Sequence, residues 1–114
     1  MISLTTHTLD SSTGNHAAGV SIKLFALTED KKLTELWSKA TDSSGRLQVE
    51  FEIFSCFKDC DLQLSFNIGN YFEVTSEGVK VKSVNLNIEL PDPDGSYHFP
   101  IIISPYGASF WWSN

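Results

Sequence analysis

Cationic residues are scarce in this sequence: eight Lys and Arg stand against fourteen Asp and Glu, a formal net charge of -6 over 114 residues. A surface that binds phosphate backbones needs a basic stripe. Here Lys31-Lys32 is the only lysine pair, so neither nucleic acid nor an anionic membrane surface is expected as a partner. Long apolar runs are also missing. Nothing approaches the roughly 20 residues of a membrane-spanning helix, and Met1 to His7 has neither the basic start nor the apolar stretch of a secretory leader. A cytoplasmic protein is the expectation. Cysteine occurs twice, as Cys56-Phe57-Lys58-Asp59-Cys60, which is not the CxxC of redox or zinc motifs. Two unpaired thiols in or beside a loop are expected in a reducing compartment, with a disulfide or metal pair as the lesser alternative. The seven glycines are dispersed, so there is no phosphate-cradling loop, and no Gly-x-Ser-x-Gly nucleophile elbow appears.

What is present describes one domain spanning 1–114. Hydrophobic residues at 41% and aromatics at 12% are enough for a single core. Alternation recurs along the chain. Leu4, Thr6, Thr8 and Asp10 share one face of a first strand, with Thr5, His7 and Leu9 on the other. Val20, Ile22, Leu24 and Ala26 mark a second strand within Gly19 to Leu27, and Leu33 to Ala40 a third. Leu47, Val49 and Phe51 form a short fourth, then Leu62, Leu64, Phe66 and Ile68 give the clearest half-buried pattern. Asn70 to Gly78 reads as one or two helical turns, with Asn70 as N-cap and Gly78 near the end. Val84, Leu86, Ile88 and Leu90 follow as an inward set. Past the breaker Pro91 to Gly95, the run Ile101-Ile102-Ile103 between Pro100 and the Ser104-Pro105-Tyr106-Gly107 turn predicts a buried strand, with a last strand running to the carboxyl terminus. Seven or eight short strands at regular spacing and one short helix predict an all-β sandwich or barrel.

Chemistry is sparse in this pattern. Of the three histidines, His16 lies in a turn-like segment and reads as a solvated loop residue. His7 and His98 lie in strands, where a lone histidine is usually a hydrogen-bonded sheet residue. Arg46 follows a Ser-Ser-Gly turn and reads as a surface charge. No ligand spacing points to a metal, and no cofactor is implied. The tail is unusual, since termini are commonly polar and frayed whereas this one carries Phe110-Trp111-Trp112. It is expected to pack on its own core, on a partner subunit or on the wall of a site.

Four segments in order resemble the transthyretin-related family, and within it the 5-hydroxyisourate hydrolase branch. They are Leu4-Thr5-Thr6-His7-Thr8-Leu9-Asp10 with Ala17-Ala18-Gly19-Val20, Thr41-Asp42-Ser43-Ser44-Gly45-Arg46, Gly69-Asn70-Tyr71-Phe72, and Tyr97-His98-Phe99-Pro100 with Ser104-Pro105-Tyr106-Gly107. The resemblance implies a transthyretin-like two-sheet sandwich, assembled as a homotetramer of two dimers with its sites between the dimers. The hormone-carrier branch lacks the two histidines and is acidic at the position of Arg46, so the resemblance implies a hydrolase. It implies His7, Arg46 and His98 as catalytic residues, with His7, Arg46, Trp111 and Asn114 in contact with a small-molecule substrate. One departure stands out: the hydrolases close with Tyr-Arg-Gly-Ser where this chain has Trp111-Trp112-Ser113-Asn114. Two indoles replace a phenol and a guanidinium. A non-catalytic binder using the same channel, or a hydrolase of a related cyclic ureide, are the alternatives this leaves open.

Overall fold

The computed structural model describes residues 1–73 and 81–113. Its strands are β1 (Ile2–Asp10), β2 (Asn15–His16), β3 (Ser21–Leu27), β4 (Leu33–Ala40), β5 (Arg46–Phe51), β6 (Asp61–Asn67), β7 (Val84–Ile88), β8 (Ser96–Ser104) and β9 (Gly107–Phe110), with a helix α1 (Ile68–Phe72) and a 3-10 turn at Ser55–Phe57. They build two sheets. One has the order β4-β3-β6-β7, antiparallel throughout. In the other, β1 is central: β8 pairs with it in parallel, β9 pairs antiparallel with β8, and the opposite edge of β1 is shared, residues 2–7 with β5 and residues 9–10 with β2.

The period-2 pattern decides which face of each strand meets the other sheet, because successive side chains point to opposite sides. Ile2, Leu4, Thr6, Thr8 and Asp10 of β1 are buried while the residues between them are half-exposed. Ile22, Leu24 and Ala26 of β3 and Leu62, Leu64 and Phe66 of β6 oppose them, joined by Tyr97, Phe99, Ile101 and Ile103 of β8. The apolar ladder is thus continuous across both inner faces, as expected of an aligned sandwich. Asp10 is an acid within this set, at 4% exposure. It is satisfied by the backbone N–H of Ser12 at 2.9 Å, the Ser12 hydroxyl and the Tyr71 phenol at 3.1 Å.

Several details differ from the sequence-based expectation. Ile68 is buried, but as the first residue of α1 rather than the last of a strand. The N-cap is Asn67, not Asn70: the Asn67 side chain accepts from the Asn70 N–H at 3.1 Å, because the turn begins three residues earlier than the Asn-Tyr-Phe pattern suggested. The expected helix end at Gly78 lies outside the described residues. His16 sits in the two-residue strand β2, paired with Leu9 of β1, instead of in a free turn. Among the described residues this brings the strands to nine, against the seven or eight expected. Pro100 does not bound the isoleucine strand but lies inside β8, and Ile102 faces away from the core. A residue's N–H and C=O point to the same neighbour. The Pro100 carbonyl accepts from Trp111 N–H at 3.2 Å, so its missing donor faces the tail beyond β9 and the pairing with β1 is undisturbed. Cys56 and Cys60 are free thiols.

Candidate active site

The outward face of the β1 sheet gathers residues from strands distant in sequence. In register, His7 lies beside Arg46 of β5 on one side and Pro100 of β8 on the other. Two residues back along β1, Thr5 lies between Gln48 and His98. Beyond β9 the tail keeps to the edge of β8: the backbones of Ser113 and His98 bridge through two hydrogen bonds of 2.8 and 3.1 Å. Two adjacent rows therefore cross the face, Trp111–Pro100–His7–Arg46 and Ser113–His98–Thr5–Gln48. Strands in a sheet are about 4.8 Å apart, so His7, Arg46 and His98 stand on neighbouring strands of one surface.

Arg46 owes its place to the preceding turn. Thr41 is buried; its hydroxyl donates to the Ala17 carbonyl at 2.8 Å and accepts from the Val20 N–H at 2.9 Å, which ties the 41–46 turn to the 14–20 loop. Asp42 then accepts from the N–H groups of Ser44 and Arg46 at 2.8 and 3.0 Å. These bonds, from the Arg46 N–H first, hold its exposed carboxyl below the ordinary carboxylate range. Gly45 adopts φ +71°, and a Cβ there would lie 2.4 Å from the Thr8 carbonyl oxygen. Only glycine allows β1 and the turn to approach this closely. The pattern Thr41-x-x-x-Gly45-Arg46 is thus a clamp, a tight turn and the launch of β5 beside His7.

Each histidine is oriented by a neighbour. The Thr5 hydroxyl reaches the Tyr97 carbonyl at 3.4 Å and His98 Nδ1 at 2.7 Å. The hydroxyl can donate to the carbonyl while accepting from His98 Nδ1–H, or donate to an unprotonated Nδ1, and either bond fixes the orientation of the His98 ring. His7 Nε2 lies 2.9 Å from His16 Nδ1, the two rings 5.0 Å apart at 32°. The pKa of His7 is lowered from that of an ordinary histidine, chiefly by burial and then by the Arg46 guanidinium and His16, against a hydrogen bond to the Ser44 carbonyl that raises it. The free base is therefore the resting form at neutral pH.

The tail is arranged in two ways. Trp112 packs on the rings of Tyr97 and Phe99 at 5.4 and 5.8 Å, while Trp111 adjoins Pro100, two strands from His7. Both indoles are 48% exposed in the protomer, and of the three expected packings Trp112 takes the one on the chain's own aromatic residues, Tyr97 and Phe99. Asn114, the other expected substrate contact, lies outside the described residues. Sequence reasoning assigned no role to Thr5, Gln48 or His16. Thr5 and Gln48 are ordinary strand residues whose position depends on register, and His16 looked like loop polarity; its one signal was lying in the segment that follows the β1 strand closely. Among the described residues no group of three or more His, Cys, Asp or Glu is placed to hold a metal ion, and no helix is long and apolar enough to cross a membrane. The clefts lined by Lys23, Asn70 and Lys82, and by Asn85, Phe99 and Trp112, lie off this face, which is open in the single chain.

Comparison with known proteins agrees with this architecture. A family model described as "HIUase/Transthyretin family" matches residues 4–112. The 5-hydroxyisourate hydrolase 2 of Rhizobium meliloti is 35% identical over 112 residues, covering 93% of this chain and 91% of that one. Transthyretin from Sparus aurata superposes with a TM-score of 0.80 at 19% identity, over 96% of this chain and 95% of that one. A 5-hydroxyisourate hydrolase from Klebsiella pneumoniae superposes with a TM-score of 0.77 at 24% identity, over 98% and 99% of the two chains. The structural likeness is one of fold.

Proposed function

Because the chain belongs to the HIUase/transthyretin family, we propose that it is a hydrolase that opens the ring of 5-hydroxyisourate, a step of urate breakdown. The observation that carries this reading is the meeting of His7, Arg46 and His98 on one face of the β1 sheet, from strands as far apart in sequence as β1 and β8. Ring opening adds water across an amide-like C–N bond: oxygen joins the carbonyl carbon, the bond to nitrogen breaks, and a proton is delivered to that nitrogen. The groups on this face match those needs. His7 and His98 serve water activation and proton shuttling, the work for which an imidazole is suited near neutral pH. Arg46, permanently charged and forked, binds the planar anionic heterocycle and the oxyanion that develops on it. Trp111 and Asn114 lie in the tail as substrate contacts. No cofactor enters this scheme.

The open face is closed by other copies of the chain. Phe110, Trp111 and Trp112 are 50%, 48% and 48% exposed in the protomer, an apolar edge of the kind that subunit contacts cover. A homotetramer built as two dimers, with the substrate between them, accounts for both the apolar edge and the open site. A mass in solution four times that of the 12.7 kDa chain is expected by light scattering. The free Cys56 and Cys60 suit a reducing, cytoplasmic setting.

The test is to mix the protein with freshly generated 5-hydroxyisourate and follow its ultraviolet absorbance. Decay should be accelerated, and His7→Ala or His98→Ala should each lower turnover by at least about 10²-fold, the lower end of what positioned acid–base groups supply. Decay no faster than in buffer would overturn the reading, and ligand-dependent quenching of tryptophan fluorescence without turnover would make the protein a binder.

A further inference from the structure

His16 is unexplained by the reaction so far, yet its ring is in direct contact with a catalytic histidine. His7 Nε2 lies 2.9 Å from His16 Nδ1, and the His7 ring also donates to the backbone carbonyl of Ser44. A neutral imidazole has one N–H, and a carbonyl can only accept. The His7 proton therefore goes to Ser44, His7 Nε2 holds the lone pair, and the hydrogen between the two rings belongs to His16 Nδ1. This leaves His16 Nε2 unprotonated. Both ring nitrogens of His7 are then occupied, so His7 acts on the attacking water through a second group. His16 is exposed, and its Nε2 has no partner among the protein groups shown.

Building on the hydrolase reading above, we propose that His16 is a further catalytic residue, the imidazole that takes the proton from the attacking water, with His7 behind it as the orienting acceptor. Proton uptake at His16 Nε2 makes an imidazolium whose Nδ1–H points at His7 Nε2, so the charge is shared over two rings and the proton passes inward. The Ser44 carbonyl fixes the inner ring, and Thr41, by tying the 14–20 loop to the 41–46 turn, holds the outer one in reach. The other charged or titratable groups that face this pair are Arg46 on β5, His98 on β8 and Asp42 in the turn. Burial, then Arg46 and His98, disfavour the imidazolium of His7 at rest, so His7 stands ready as an acceptor behind His16. The mechanism needs no change in the role of His98 at the other end of the face.

His16→Ala and His16→Asn separate catalysis from positioning. Asparagine keeps a side-chain N–H near the place of Nδ1 but has no basic nitrogen. Both variants should lose at least about 10²-fold in kcat/KM, as for removal of a general base, with unchanged thermal stability because β2 is a two-residue exposed strand. Ring ¹⁵N spectra of the wild type should show His7 as the Nδ1–H tautomer and His16 likewise. In His16→Ala the His7 titration should move to higher pH, since His16 is among the groups that lower it. Activity of His16→Ala within about threefold of wild type, below what a general base contributes, would overturn the proposal, as would recovery in His16→Asn, which would reduce His16 to holding His7 in place. Should the wild type fail to turn over 5-hydroxyisourate, the hydrolase reading falls while the ring spectra still decide the arrangement: a His16 ring protonated at Nε2 instead of Nδ1, or a His7 titration unmoved in His16→Ala, refutes it.

Discussion

Replacing Gly45 by alanine tests whether the close approach of the 41–46 turn to β1 builds the site. Gly45 has φ +71°, where an L side chain costs roughly 1–2 kcal/mol. Its new Cβ would stand 2.4 Å from the Thr8 carbonyl oxygen, 3.1 Å from Ala17 N and 3.3 Å from the Ala17 oxygen. All three are backbone atoms, so no side chain can swing aside, and the shift adds about 1–3 kcal/mol as other forced overpacking does. The shift also strains two bonds of the same residues, Thr8 N–H to the Gly45 carbonyl at 2.7 Å and Ala17 N–H to the Thr8 carbonyl at 2.9 Å, worth about 1 kcal/mol together if half their strength is lost. The total, about 3–6 kcal/mol, is a large part of an ordinary domain's 5–15 kcal/mol. At about 4 °C per kcal/mol for a chain of this size, Tm should fall by roughly 12–24 °C. Gly14→Ala is the control, since Gly14 has φ +78° but nothing within 4 Å of a Cβ. It carries only the conformational cost of about 1–2 kcal/mol and should lower Tm by about 4–8 °C. Calorimetry of both variants at one protein concentration, which removes the effect of assembly on Tm, gives the comparison. If Gly45→Ala melts within a few degrees of Gly14→Ala, the close approach does not shape the turn, and the account of how Arg46 and the Ser44 carbonyl reach His7 is wrong.

Other outcomes follow from single contacts. Thr5→Val keeps a β-branched strand residue but removes the 2.7 Å partner of His98 Nδ1; turnover of 5-hydroxyisourate should fall about fivefold to tenfold, the value of one hydrogen bond, while Tm changes little, and unchanged turnover would show that His98 needs no orientation. Tyr71→Phe removes one of the donors to buried Asp10 and should cost about 1.5–3 kcal/mol in chemical denaturation, as for a hydrogen bond to a charge. Burial acts to raise the Asp10 pKa, but the Ser12 hydroxyl and N–H, then Tyr71 and Thr13, outweigh it and the net shift is downward from 3.8. The ionised form is thus favoured by folding, so its contribution is fully present above pH 3.8 and lost as pH falls through the lower folded value. Acid unfolding of wild type should show this loss, and Asp10→Asn should be flatter with pH across that range; equal slopes would rule out Asp10 as the titrating group.

The sequence by itself determined the strands that have one buried face. Alternation at Leu4-Thr6-Thr8-Asp10 and at Leu62-Leu64-Phe66 is reproduced residue by residue in the burial of β1 and β6, and Leu33 to Ala40 is β4. Such patterns are local, because a one-residue slip would turn every apolar side chain to water. His7, Arg46 and His98 were legible only as members of a resemblance, since taken singly each is an ordinary sheet or surface residue. The tertiary structure alone decided that β8 runs parallel to β1, that Pro100 lies within a strand, and that the Gly45 turn packs on Thr8. It also placed His16 against His7. Each of these depends on hydrogen bonds between segments far apart in the chain, and partner and register in such pairings are set by how two faces and their turns fit together. A sequence read one segment at a time carries the face of each strand but not its neighbour, and on this sheet it is the neighbours that bring the imidazoles and the guanidinium together.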